Sequence, residues 1–237
     1  MTEMILMCDT ETANTLDEPI LYDFGAWLID SKGKSYEKVN WVIKEAFLNK
    51  ELMETAYFAA KIPSYWQDIW TGKREVKSIW DVYRYLRDVK RRYPDVKFCA
   101  HNAAFDVKAL RTSLRYLTKS FKRWMIPQGM EIYDTLRMAR DIYAKDETYV
   151  KFCEDNNFLT QNGKPQLTAE VLYRFLTGDI EFKEQHTGLA DVEIEAQILQ
   201  AIYKKGGDFR KHCFNKDIES AVKPRLTFAR PRFLTIY

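Results

Sequence analysis

The apolar run Met-Ile-Leu-Met at residues 4–7 continues through Cys8 and stops at Asp-Thr-Glu-Thr. So short a run, ending in polar residues, predicts a buried strand. Two β-rich segments follow, ILYDFGAWLID and SYEKVNWVIKE, joined by SKGK with Gly33 at the turn, so residues 20–45 predict a hairpin and three antiparallel strands. The next stretch, KEAFLNKELMETAYFAAKI, reads as helical until Pro63. Ser78 followed by Asp81 forms a capping-box pattern opening the helix SIWDVYRYLRDVKRRY, and VKFCA after Pro94 reads as a short strand. From Ala104 to Trp124 the pattern is two-faced. Leu110, Leu114, Leu117 and Phe121 fall on one side at helical spacing, and Lys108, Arg111, Arg115, Lys119 and Lys122 fall on the other. MEIYD predicts a fifth strand. Helical stretches then begin near Asp134, Glu147 and Thr168, TQNGKP is a turn, and LADVEIEAQILQAIYKK closes the pattern at Gly206-Gly207. Strands first, then strands alternating with helices, predict an α/β domain around a mixed sheet.

Composition adds little to this outline. The 237 residues are 46% hydrophobic and 30% charged, with 9 Gly and 7 Pro, as expected of a globular chain with one sizeable core. No run approaches the roughly 20 apolar residues of a membrane helix. MTEMILMC lacks the basic flank and small-residue cleavage site of a secretory leader, so an intracellular protein is expected. Cys8, Cys99, Cys153 and Cys213 are scattered without a C-x-x-C pair, which predicts reduced thiols rather than a disulfide framework or zinc site. The net charge of +3 is unevenly spread: residues 207–237 hold seven Lys or Arg against three Asp or Glu. The expected organisation is therefore a domain at 1–206 and a basic, aromatic tail at 207–237, suited to a phosphate-rich or protein partner.

The candidate chemistry starts where the first strand ends. Asp9 and Glu11 are two residues apart, so on a strand both carboxylates point the same way and repel unless a cation, a basic partner or a proton intervenes. Two further clusters carry similar residues. CAHNAAFD places Asp106 just beyond a strand at the start of the basic helix, and HTGLADVEIE places Asp191 in the first turns of the last helix with His186 five residues before it.

The ordered set D-T-E-T, H-N-x-x-F-D and H-x-x-x-x-D, spanning about Met4 to Tyr203, resembles the DnaQ-like DEDD exonucleases of the subclass with a histidine in the third motif. DTLRMARD and LTAEVLYRFLTG further resemble exonucleases of bacteriophages and prophages, which implies a bacterial host cytoplasm. The resemblance implies a ribonuclease-H-like mixed five-stranded sheet flanked by helices, and 3′ to 5′ phosphodiester hydrolysis with two divalent cations. Carried over, Asp9 would bridge both cations, Glu11 and Asp191 would complete one site, and Asp106 would hold the second, partly through water. His186 would be the general base. Oxygen-only ligands favour Mg²⁺, with Mn²⁺ as a substitute. Single-stranded DNA is the expected substrate, RNA the alternative, and a replication or recombination protein a further expected partner. Thr12, Asn102, Lys108, Arg111 and Arg115 are the candidate substrate contacts. In this sequence Thr12 precedes Ala13, where many relatives have Thr-Gly and a close backbone approach to the terminal nucleotide.

Overall fold

The computed structural model describes residues 3–120 and 122–207. The basic tail from 208 onward, with Cys213, and Phe121 of the apolar stripe lie outside the described residues.

The first strand, β1 (Met4–Asn14), pairs antiparallel with β2 (Pro19–Asp30), which pairs antiparallel with β3 (Ser35–Ile43). This is the expected hairpin arrangement, with Gly33 at φ +83° in its turn. β5 (Lys97–Ala100) adds parallel to β1 on its other side, and β6 (Glu131–Asp134) adds parallel to β5. The sheet has six strands rather than five. β4 (Glu75–Lys77) lies parallel to β3 at the edge, giving the order β4-β3-β2-β1-β5-β6. Its three residues are too few to show a period, so only pairing with β3 makes it a strand.

The stretch expected to be one helix ending at Pro63 is two four-residue helices, α1 (Lys44–Phe47) and α2 (Lys50–Met53), followed by a turn of 3₁₀ helix. Pro63 opens α3 (Ile62–Trp70) instead of closing its predecessor. A proline in the first turn of a helix lacks only an N–H that has no intrahelical partner there.

Two helical layers cover the sheet. α4 (Ile79–Arg92) begins at the Ser78–Asp81 capping box, and α5 (Ala103–Thr118) follows β5; both pack on the face that carries Leu6 and Cys8. α5 stops six residues short of the expected end because Lys119 turns left-handed at φ 55°. The opposite face, with Ile5 and Met7, is covered by α6 (Thr135–Tyr143), α7 (Glu147–Asp155), α8 (Ala169–Thr177) and α9 (Gly188–Lys204). Asp134, Asp146 and Thr168 cap α6, α7 and α8 through their side chains, close to the starts expected from sequence. A third core cluster, including Ala13, Ile20, Phe47 and Tyr65, seats α1–α3 against the far end of β1 and β2. Among the described residues no helix is long and apolar enough to cross a membrane. Cys8, Cys99 and Cys153 are free and buried.

Candidate active site

Alternation along β1 sets up the site. Ile5 and Met7 face the α9 layer while Leu6 and Cys8 face the α5 layer, so Asp9 and Glu11 continue the α9 side and Thr10 the α5 side. The register of β1 on β2 shifts between Glu11 and Thr12, a bulge immediately beyond the second acid. Its neighbour Leu21 gives its N–H to the buried Ser113 hydroxyl on α5 at 2.7 Å.

On the α5 side, the Thr10 hydroxyl donates to Asp106 Oδ1 at 2.8 Å. α5 starts from Asn102 in the left-handed region, φ 68°, with no side-chain cap; the Asn102 N–H goes instead to Asp134 Oδ1 at 3.1 Å. His101 is structural. Its Nε2 lies 2.8 Å from the Leu167 carbonyl, a pure acceptor, so Nε2 donates there and Nδ1 accepts from the Thr135 hydroxyl at 2.9 Å.

On the other side, α9 docks by backbone contact. A Cβ added to Gly25 would lie 2.0 Å from the Gly188 carbonyl carbon, and one on Gly188 would lie 2.5 Å from the Gly25 nitrogen and 3.3 Å from the Asp9 carbonyl. The Gly188 N–H donates at 2.9 Å to Asp23 Oδ2, which also accepts from the Tyr65 hydroxyl at 2.7 Å. The second oxygen of Asp23 pairs with the buried Arg74 guanidinium. This seating fixes Asp191 one turn into α9.

The products of both sides line one open cleft of about 1130 Å³: Asp9, Glu11, Asn102, Asp106, His186 and Asp191. Ligand atoms of Glu11, His186 and Asp191 all lie within 4.8 Å of one another. Among the described residues, Asp9 and Asp106 share the cleft without joining a triplet that tight. Thr12, Lys108, Arg111 and Arg115 are not among its lining residues. Lys108 donates to the Leu16 carbonyl at 2.9 Å, and Arg111 lies over the Trp124 ring at 5.7 Å.

Burial dominates the electrostatics. It pushes Glu11 up to about 9, with Asp23 and Asp191 adding repulsion and Lys61 opposing. It pushes Asp191 to about 8, reinforced by Glu184 and Asp23, and Asp106 to about 7. Asp9 is raised well above the carboxylate range by burial and then by Glu195, Asp106, Glu11 and Asp191. His186 is pushed below its ordinary value by burial and by Lys61, so the imidazole is neutral near pH 7. Its backbone is left-handed at φ 46°, and its ring stacks on Phe58 at 4.2 Å and 10°.

Several cleft residues carried no signal in the motifs. Phe58 comes from the segment read as helical until Pro63, as does Lys61, whose charge acts on Glu11, His186 and Asp191 from beside the cleft. Glu184, raised to about 7 by burial and Glu170, has an oxygen 3.8 Å from His186 Nδ1. Glu195 stands four residues after Asp191 on the same helix face, a spacing visible in sequence but indistinguishable there from an ordinary amphipathic position.

An oxygen-rich, electronegative cleft with a neutral imidazole suits divalent cations. The buried Asp191 Oδ1 has no hydrogen-bond partner, and such an atom is costly unless it meets an ion or water. The residues present therefore fit a divalent metal.

Among solved structures, the chain is similar to an ExoI/SSB-Ct complex, with 14% identity over 87% of this chain and 42% of the other, at a TM-score of 0.53. It is also similar to E. coli Exonuclease I in complex with a 5cy-dA13 oligonucleotide, with 16% identity over 92% and 43% of the two chains, at 0.51. The fold is ribonuclease-H-like. This ribonuclease-H-like chain spans about two-fifths of the length of those proteins. No family model matches the sequence, and no curated protein does.

Proposed function

We propose that the chain is a metal-dependent 3′ to 5′ exonuclease that removes nucleoside monophosphates from single-stranded DNA or frayed DNA ends. The observation that carries this reading is the meeting of Asp9, Glu11, Asp106, His186 and Asp191, drawn from β1, α5, the approach to α9 and α9 itself, in one cleft at the end of the sheet. The similar solved structures include an exonuclease with an oligonucleotide, which supports nucleic acid as the substrate.

In this reading Asp9, Glu11, Asp106 and Asp191 hold two divalent cations, Mg²⁺ or its substitute Mn²⁺. When bound, such ions lower the pKa of an attacking water and stabilise charge on the departing oxygen. His186 takes the water's proton at a ring nitrogen, for which its depressed pKa keeps it unprotonated. Thr10 holds Asp106 in place. Asn102, in the cleft, and Thr12, one residue beyond Glu11, contact the terminal nucleotide. Lys108, Arg111 and Arg115 supply positive charge to the strand along the helix that starts beside Asp106.

The test is a gel series with 5′-labelled single-stranded DNA, duplex DNA and RNA, each with Mg²⁺ or with EDTA. The expected result is a ladder shortening from the 3′ end of single-stranded DNA with metal and none with EDTA. Faster degradation of RNA would reassign the substrate, and no degradation of any substrate by folded protein would overturn the reading.

A further inference from the structure

The cleft contains two carboxylates more than the motif set accounts for, Glu184 beside His186 and Glu195 beside Asp9 and Asp106. Glu195 is 3% exposed on the inner face of α9, one helical turn after Asp191, and lines the same cleft as Asp9 and Asp106. Its Oε2 accepts the His101 N–H at 3.3 Å, a long bond to a neutral donor. Among the described residues no Lys, Arg or His side chain pairs with it. Burying an ionised carboxylate without a cation is unfavourable, and other acids beside it raise that cost. Of the charged groups around Asp9, Glu195 acts on it most strongly, ahead of Asp106, Glu11 and Asp191. A purely structural residue at this position needs only a hydrogen-bond acceptor for the His101 N–H, which a glutamine supplies without the charge. The neighbouring Asp191, 6% exposed, has its buried Oδ1 without any partner, so the turn of α9 before Glu195 presents an unsatisfied carboxylate oxygen in the same cleft.

We propose that Glu195 is a fifth carboxylate of the metal centre, binding a divalent cation together with Asp9 and Asp106. The inference rests on the metal-dependent reading above and adds to it a ligand on α9 from outside the three motifs. Four carboxylates balance two divalent cations; a fifth leaves the loaded centre with a net negative charge. The centre then holds its cations more tightly, because the ion bound near Asp9 and Asp106 meets three acids there instead of two.

The experiment is a calorimetric Mn²⁺ titration of the full chain, without nucleic acid, for wild type, Asp9→Ala, Glu195→Gln and Glu195→Asp, with melting curves in EDTA. Wild type should bind Mn²⁺ and Asp9→Ala should lose that binding. Glu195→Gln, which keeps the acceptor for His101, should bind the cation about tenfold or more weakly while melting in EDTA at or above the wild-type temperature. Mn²⁺ affinity within twofold of wild type in a folded Glu195→Gln protein overturns the proposal and leaves the exonuclease reading intact. If that variant does not fold, Glu195→Asp decides: the charge is kept but withdrawn by one methylene, so weakened binding supports ligation and unchanged affinity overturns it. A wild-type chain that binds no Mn²⁺ overturns both this proposal and the metal-dependent reading.

Discussion

The helices α5 and α9 each bring acids to the end of β1, but they are fastened differently. α5 is held at the site by side chains: the Thr10 hydroxyl on Asp106, and Ser113 receiving the Leu21 N–H near the β1–β2 bulge. α9 is held by backbone against backbone at Gly25 and Gly188, with the Asp23 carboxylate closing on its first N–H. A side-chain bond can lengthen or be replaced by water at modest cost, whereas two main chains in contact leave no room for even a methyl group. The position of Asp106 is thus adjustable, and the positions of Asp191 and Glu195 are fixed.

The largest expected effect comes from removing an acid on the fixed side. Asp191→Ala should reduce exonuclease turnover to background while the melting temperature in EDTA stays level or rises, since a buried acid whose Oδ1 has no partner is gone. Retained cleavage by the purified variant would remove Asp191 from the site. Gly188→Ala keeps every acid but forces α9 off Gly25, and a shift of about 1 Å should lower the rate roughly 10²-fold with a clear loss of stability. If rate and melting temperature both match wild type, the contact is not what positions α9. His186→Ala should cost about 10²-fold in rate with Mn²⁺ binding preserved, as for loss of a general base; a rate within twofold of wild type across pH 6 to 9 would rule that role out. Thr10→Val, on the adjustable side, should cost only about tenfold. A loss as large as that of Gly188→Ala would erase the distinction between the helices.

The smallest effect is in stability. Glu11, Asp106 and Asp191 have folded pKa values raised to about 9, 7 and 8, far above the ordinary carboxylate value near 4. Such groups favour folding while protonated, so their contribution is present in acid and is lost as pH rises through the folded values. In EDTA the melting temperature should fall between about pH 5 and 9. Mg²⁺, which binds the ionised forms, should raise it by an increment that grows over the same window. An increment independent of pH would mean that these acids are not where the ion binds.

What was legible in the sequence follows the same division between local and distant causes. β1, the hairpin, the Ser78–Asp81 capping box and the start of α9 rest on residues within one turn or one strand of each other, and the structure places them close to expectation. β4 went unseen because Glu75–Lys77 is mostly exposed and becomes a strand only through Trp41, Val42 and Ile43. Pro63 was misread because the same residue can follow one helix or open another, and packing beneath α3 decides which. α5 ends early at Lys119, a residue type that seldom adopts φ 55° and so gives no stop signal. The four motif acids and the histidine were readable as an ordered pattern. Their supports were not, since Asp23 meets Arg74, Tyr65 and Gly188 across sequence gaps that leave no local mark.

The contact between Asp23 and Gly188 spans 165 residues of chain. During synthesis from the N-terminus, Asp9 and Glu11 are made and paired within the hairpin long before α9 leaves the ribosome, and closing so long a loop comes late in folding. A nascent or prematurely terminated chain therefore carries two acids of the cleft without Asp191, Glu195 or the seat that fixes them. On the proposed reading, hydrolytic capacity waits for α9, so products truncated before Gly188 would be inert toward nucleic acid.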